Sequence, residues 1–205
     1  MVLINPLLLT EGIPKYNLIK PEHVEPAVTE ILEKSEKRLS EIEDNIIPTW
    51  SGLIEPLEEL TVPFEYAWAP INHLLNVKNT KELREEHQKM QPKIVQFILK
   101  LGQSKPIYEG LKAIRDGSEW KTLNTAQKRV ITLRIRDAEL SGVGLEGESK
   151  DRFNKISTEL SKLGTVFDDN VLDSTKDFEF IITDKRDTKG WPKSLLQISS
   201  QSYKQ

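Results

Sequence analysis

The chain has no cysteine, only three histidines and two methionines, and no long apolar run. Each shortage removes a class of function. Without a thiol there is no disulfide scaffold, no cysteine nucleophile, no cysteine-ligated zinc and no iron–sulfur site, and a reducing compartment suits the chain. No stretch approaches the roughly 18 apolar residues of a membrane-spanning helix, and no Asn-x-Ser/Thr sequon occurs. The opening MVLINPLLLTEG is split by Asn5 and Pro6 and has no basic region before it, so it does not read as a signal peptide. These absences predict a cytoplasmic location. The 29 basic and 32 acidic residues nearly cancel, so no overall positive field would hold the chain on nucleic acid or an anionic membrane.

What is present is helical periodicity. With 205 residues, 37% of them hydrophobic, the chain can bury a core as one large domain or two small ones. Pro21 suits a helix first turn, and Val24, Val28, Ile31, Ser35, Leu39, Ile42 and Ile46 follow at steps of three and four. Trp50, Leu53, Leu57, Leu60, Phe64, Ala67, Ile71 and Leu74 continue the spacing, but Pro63 and Pro70 each remove a backbone bond, which predicts a kinked or broken helix. A third helix starts at Asn79 or Thr80 and stops at Gly102; a fourth runs from the cap Ser104 to Asp116-Gly117. A fifth spans about 125–140, and a sixth about 149–172, with Phe153, Ile156, Leu160, Leu163, Phe167 and Val171 as its stripe. Phe178-Glu179-Phe180-Ile181-Ile182 then reads as a β-strand, although a single strand needs a partner.

The expected fold is therefore mainly α: an antiparallel array of about six helices, one kinked at Pro63/Pro70, followed by one C-terminal strand. Residues 1–20 form an irregular segment, 21–175 the helical domain, 176–196 the strand and its continuation, and 197–205 a tail.

The chemistry-bearing residues are sparse. Gly142-Val143-Gly144-Leu145-Glu146-Gly147 matches G-x-G-x-x-G, but a helix precedes it where a dinucleotide site needs a strand, so it reads as a helix stop and loop. His23, His73 and His87 are nowhere three or four apart, so no helix face carries the two imidazoles of HExxH. His87 falls on an apolar stripe and reads as a core histidine; the other two read as structural or solvated. Glu41, Glu43 and Asp44, or Asp168 and Asp169, could do acid–base work, yet acids on amphipathic helices form solvated faces. Lys128, Arg129, Arg134 and Arg136 make the fifth helix locally basic, with Lys121 nearby, but without the stacking aromatics of a nucleic-acid site. The residues alone nominate no catalytic, cofactor-binding or metal-ligating side chain.

Several strings resemble one family in order along the chain: NPLL at Asn5, IKPEHVEPAV at Ile19, PTW at Pro48, INHLLNVKNTKELRE at Ile71, LGQSKPIY at Leu101, TLNTAQKR at Thr122, DAELSGVGL at Asp137 and NVLDSTKDFEFIITDK at Asn170. They resemble the thimet-type zinc oligopeptidases, in the oligopeptidase A branch of plants and bacteria, and LGQSKPIY looks more like the plant members. The resemblance implies the start of a helical domain forming one wall of a clamshell channel that admits short peptides. It also implies that the zinc, held by HExxH and a distant glutamate, belongs to another part of the family's fold. No such motif is present, so no catalytic or metal residue carries over, and none of the zinc expected in full-length relatives is expected in this chain.

The likeness fades at QISSQSYKQ, from Gln197 to Gln205, which suggests a truncated gene copy or alternative transcript. The expectation is a part that is not an enzyme by itself, with short peptides, a second copy or a full-length relative as partners and neither nucleic acid nor membrane. The alternative is a stand-alone helical interaction protein or regulator. The family has organellar members, which qualifies the cytoplasmic expectation.

Overall fold

The computed structural model describes residues 5–203. They fall into two compact units, one reaching Gly164 and one beginning at Thr165. Seven α-helices are present among the described residues: α1 (Val24–Asp44), α2 (Glu55–Val77), α3 (Lys81–Gly102), α4 (Lys105–Asp116), α5 (Thr125–Leu140), α6 (Gly147–Asp177) and α7 (Lys193–Tyr203).

In the first unit α1 packs on α2 and α3, and α4 packs on α5. The buried positions are those of the periodic stripes. Val24, Val28, Leu39 and Ile42 of α1 meet Leu57 and Ile71 of α2, Met90 and Phe97 of α3, and Ile114 of α4 in one core. Phe64 stacks on Phe97 at 5.1 Å between ring centroids, which fastens α2 to α3. Pro21 lies in a 3-10 turn, Pro21–His23, that leads into α1.

Of the kink or break expected at Pro63 and Pro70, the break does not occur: α2 is one continuous helix from Glu55 to Val77. An interior proline costs a helix about 3 kcal/mol, but each buried Leu or Ile contributes about 1.5–3 kcal/mol. Leu57, Leu60, Ile71 and Leu74 are all buried on this helix, and Pro70 itself is packed into the core. Packing outweighs the lost backbone bonds. The helix opens with a π-helical turn, Trp50–Ile54, whose first N–H is taken by a distant carboxylate: Glu119 accepts from the Trp50 N–H at 3.0 and 3.2 Å.

α5 ends in a Schellman motif. The Gly142 N–H donates to the Glu139 carbonyl at 3.1 Å and the Val143 N–H to the Ala138 carbonyl at 3.1 Å, with Gly142 at φ +81° and Val143 buried. The glycine string is thus a helix stop, as its context indicated.

In the second unit the expected strand at Phe178–Ile182 is absent; that segment is irregular, and no strand occurs among the described residues. The alternating aromatic and β-branched residues favour a strand locally, but a strand satisfies its backbone only through a partner. Phe178 and Phe180 are about three-quarters exposed, at 77% and 76%. A 3-10 turn at Lys185–Thr188 follows, and α7 then covers most of the 197–205 tail, whose last two residues lie outside those described.

Candidate functional site

The most built-up feature of the first unit is the junction between α3 and α4. Lys100 sits in the last turn of α3, whose final residue is Gly102, and Ser104 caps α4, its hydroxyl accepting from the Ile107 N–H at 3.4 Å while donating to Glu43 Oε1 at 2.6 Å. Between them Gln103 is only 6% exposed. Its side-chain amide donates to the Ser141 carbonyl at 2.9 Å and to Asn154 Oδ1 at 2.7 Å. One buried amide therefore ties the end of α3 to the end of α5 and to the first half of α6. Tyr108 donates to Glu139 at 2.9 Å, which raises the Tyr108 pKa above its ordinary value, and Lys105 pairs with Glu146, whose carboxyl is held below its ordinary value by that ammonium.

These ties leave an open groove of about 760 Å³ between the junction and α6. Lys100, Lys105, Lys150, Lys155 and Lys162 line it, with Glu43 and Glu159 as its carboxylates. Sequence reasoning identified Ser104 as a cap but missed the groove. Its lysines come from three separate segments, and each alone reads as part of a solvated face.

The residues weighed in the sequence lie apart. His87 is buried, stacks on Trp68 at 4.5 Å and places Nε2 3.0 Å from Asn72 Oδ1. His23 Nδ1 accepts from the Lys20 N–H at 3.2 Å, and His73 meets the edge of Tyr16 at 5.2 Å. Among the described residues no three of the His, Asp and Glu side chains converge as metal ligands. The donor set does not fit the zinc that the family resemblance implies, because each imidazole is committed to a different part of the fold.

Glu41 lies 3.4 Å from Arg38, and Asp168 is exposed. On α5, Arg134 pairs with Glu58, Arg136 lies 2.7 Å from Asp137, and Lys128 stands 5.8 Å from the Trp120 ring centre. The basic stripe is largely engaged within the fold.

Residues 28–150 match the family described as "Neurolysin/Thimet oligopeptidase, N-terminal domain". The chain belongs to the neurolysin/thimet oligopeptidase family. It is 42% identical over 198 residues to the probable cytosolic oligopeptidase A of Arabidopsis thaliana, covering 97% of this chain and 28% of that protein. It is 43% identical over 198 residues to the organellar oligopeptidase A, chloroplastic/mitochondrial, of the same plant, covering 97% and 25%. Oligopeptidase A of Escherichia coli is 38% identical over 193 residues, covering 94% and 28%. The plant members are thus somewhat more similar than the bacterial one, in line with LGQSKPIY. The chain spans between a quarter and three tenths of the length of these curated relatives. It corresponds to an N-terminal part of the oligopeptidase A fold, and no described helix is long and apolar enough to cross a membrane.

Proposed function

We propose that this chain is the helical wall of a peptide channel of the oligopeptidase A type, binding short peptides and hydrolysing none by itself. The observation that carries the reading is the colinear likeness to oligopeptidases over nearly the whole chain. Hydrolysis assisted by zinc needs a polarising metal, an activated water and a base, and the three imidazoles are held at separate places by Lys20, Tyr16 and Trp68. This chain's residues therefore supply shape and polar contacts. Fluorescence anisotropy of labelled hexa- to octapeptides on the purified chain tests the binding half: saturable binding supports the reading, and no binding of any short peptide contradicts it.

One observation favours a second reading, a helical interaction protein that pairs with itself or with a full-length relative. The apolar stripe of α6 is open to solvent, with Ile156 48%, Leu160 63% and Leu163 54% exposed. Exposed apolar stripes of this kind favour association. Size exclusion with light scattering distinguishes the two, since a concentration-independent monomer contradicts the self-association form.

A further inference from the structure

The groove beside α6 is asymmetric in charge. Five lysines face two carboxylates across about 760 Å³. Glu43 accepts from the Ser104 hydroxyl and keeps its negative charge. Lys105 is paired with Glu146, whose carboxylate also lies in the field of Lys150, and Lys100 lies 4.0 Å from Glu36, while among the described residues no salt bridge engages Lys155 or Lys162. With Glu43, Glu159 and the flanking Glu36 and Glu146 set against its five lysines, the groove keeps an excess of one positive charge, which lies toward Lys155 and Lys162.

Its dimensions point to a chain. Lys150, Asn154, Thr158 and Lys162 stand four apart on α6 and form a single row along the groove. At about 1.5 Å of rise per helical residue the row runs roughly 18 Å, and an extended peptide advancing about 3.3 Å per residue covers that length in about five or six residues. Asn154 is fixed through Oδ1 by Gln103, which leaves its Nδ2 as a donor for a peptide carbonyl.

The lining also argues against a nucleic acid. No aromatic side chain borders the groove, so a nucleobase has nothing to stack on. Every cation in it is lysine, a point charge that meets carboxylate and phosphate alike, so the choice between them falls to the rest of the lining. Leu99 and Pro106 give it an apolar margin suited to peptide side chains.

We propose that this groove binds a short, extended peptide rich in aspartate or glutamate, its carboxylates set against Lys150, Lys155 and Lys162. The proposal rests on the peptide-wall reading above and adds to it a substrate class.

The test uses the full chain at low ionic strength and two fluorescein-labelled hexapeptides, Ala-Glu-Ala-Glu-Ala-Glu and its glutamine counterpart. The acidic peptide is expected to bind about tenfold tighter or more, an advantage that added salt reduces. The triple variant Lys150→Glu, Lys155→Glu, Lys162→Glu abolishes that advantage, whereas Lys34→Glu, Lys78→Glu, Lys121→Glu, the same charge change at exposed positions outside the groove, preserves it. Thermal melts establish that both variants are folded. Equal binding of the two peptides, or an advantage that survives the groove variant, overturns the acidic class while the peptide-wall reading stands. Failure of both peptides, together with neutral and basic ones, overturns both. Tripolyphosphate displacing the acidic peptide as well as unlabelled peptide does makes the groove a general polyanion site and overturns the assignment to peptides.

Discussion

The Gln103 side-chain amide lies 2.7 Å from Asn154 Oδ1, and the two residues are 51 positions apart in the chain. This bond, with its companion to the Ser141 carbonyl, holds the first half of α6 beside the α3–α4 junction and so sets the width of the lysine groove.

Gln103→Ala should therefore cost stability and loosen α6 together. Two half-buried acceptors lose their donor, and leaving a fully buried acceptor unsatisfied costs about 1–3 kcal/mol. Urea unfolding is expected to show a loss of roughly 2 kcal/mol, with faster amide hydrogen exchange in the first half of α6. An unchanged midpoint would mean that the bond is incidental.

Gly110 on α4 has no room for a side chain. A Cβ there would stand 2.8 Å from Ile46 Cγ2 and 2.9 Å from Leu53 Cδ2, so α4 approaches its neighbours as closely as it does only because the residue is glycine. Gly110→Ala gains helix propensity of up to about 1 kcal/mol but overpacks the core at a cost of about 1–3 kcal/mol. The overpacking term is the larger, and a lower melting temperature is expected.

Pro63 runs the other way. It is half-buried inside α2, where it withholds one backbone donor from a helix that continues past it. Pro63→Ala should restore that bond and relieve the clash, worth up to about 3 kcal/mol, less about 1 kcal/mol for the greater freedom of the unfolded chain. Chemical denaturation is expected to show a gain of about 1–2 kcal/mol, and a loss would indicate that the proline shapes a packing contact.

Acid should destabilise the protein through its paired carboxylates. The Lys89 ammonium holds the Glu25 carboxyl below its ordinary value, Arg115 does the same for Asp116, Lys105 for Glu146 and Arg186 for Asp184. A group with a lowered native pKa contributes its stability when ionised. That contribution is complete above the ordinary carboxylate range near pH 4 and is lost as the pH falls through the lower native values. Melting temperature should be flat from about pH 7 to 5 and fall below about pH 4, and a rise on acidification would contradict these pairings.

The helices of the first unit are legible in the sequence because one physical signal, apolar residues every three to four positions, serves both to form the helix and to bury it. Val24, Val28, Leu39 and Ile42 could be placed from spacing alone, and all are buried. The same signal sat on α6, yet there Leu160 and Leu163 are exposed, because periodicity says which face would be buried and not whether a partner is there. Phe178–Ile182 fails for the related reason that β propensity does not supply a second strand. The continuity of α2 was hidden because proline's local cost is visible in sequence and the compensating packing is not. The groove was hidden most completely. Its lysines come from α3, α4 and α6, and Gln103 has no sequence signature that marks its bond to Asn154.

The proposed role as a peptide-channel wall without hydrolytic chemistry of its own is tested by incubating the purified chain with excess zinc and an internally quenched octapeptide, with and without chelator. No turnover above buffer is expected in either case, while the same peptide binds by anisotropy. Chelator-sensitive cleavage that co-purifies with the monodisperse chain would contradict it.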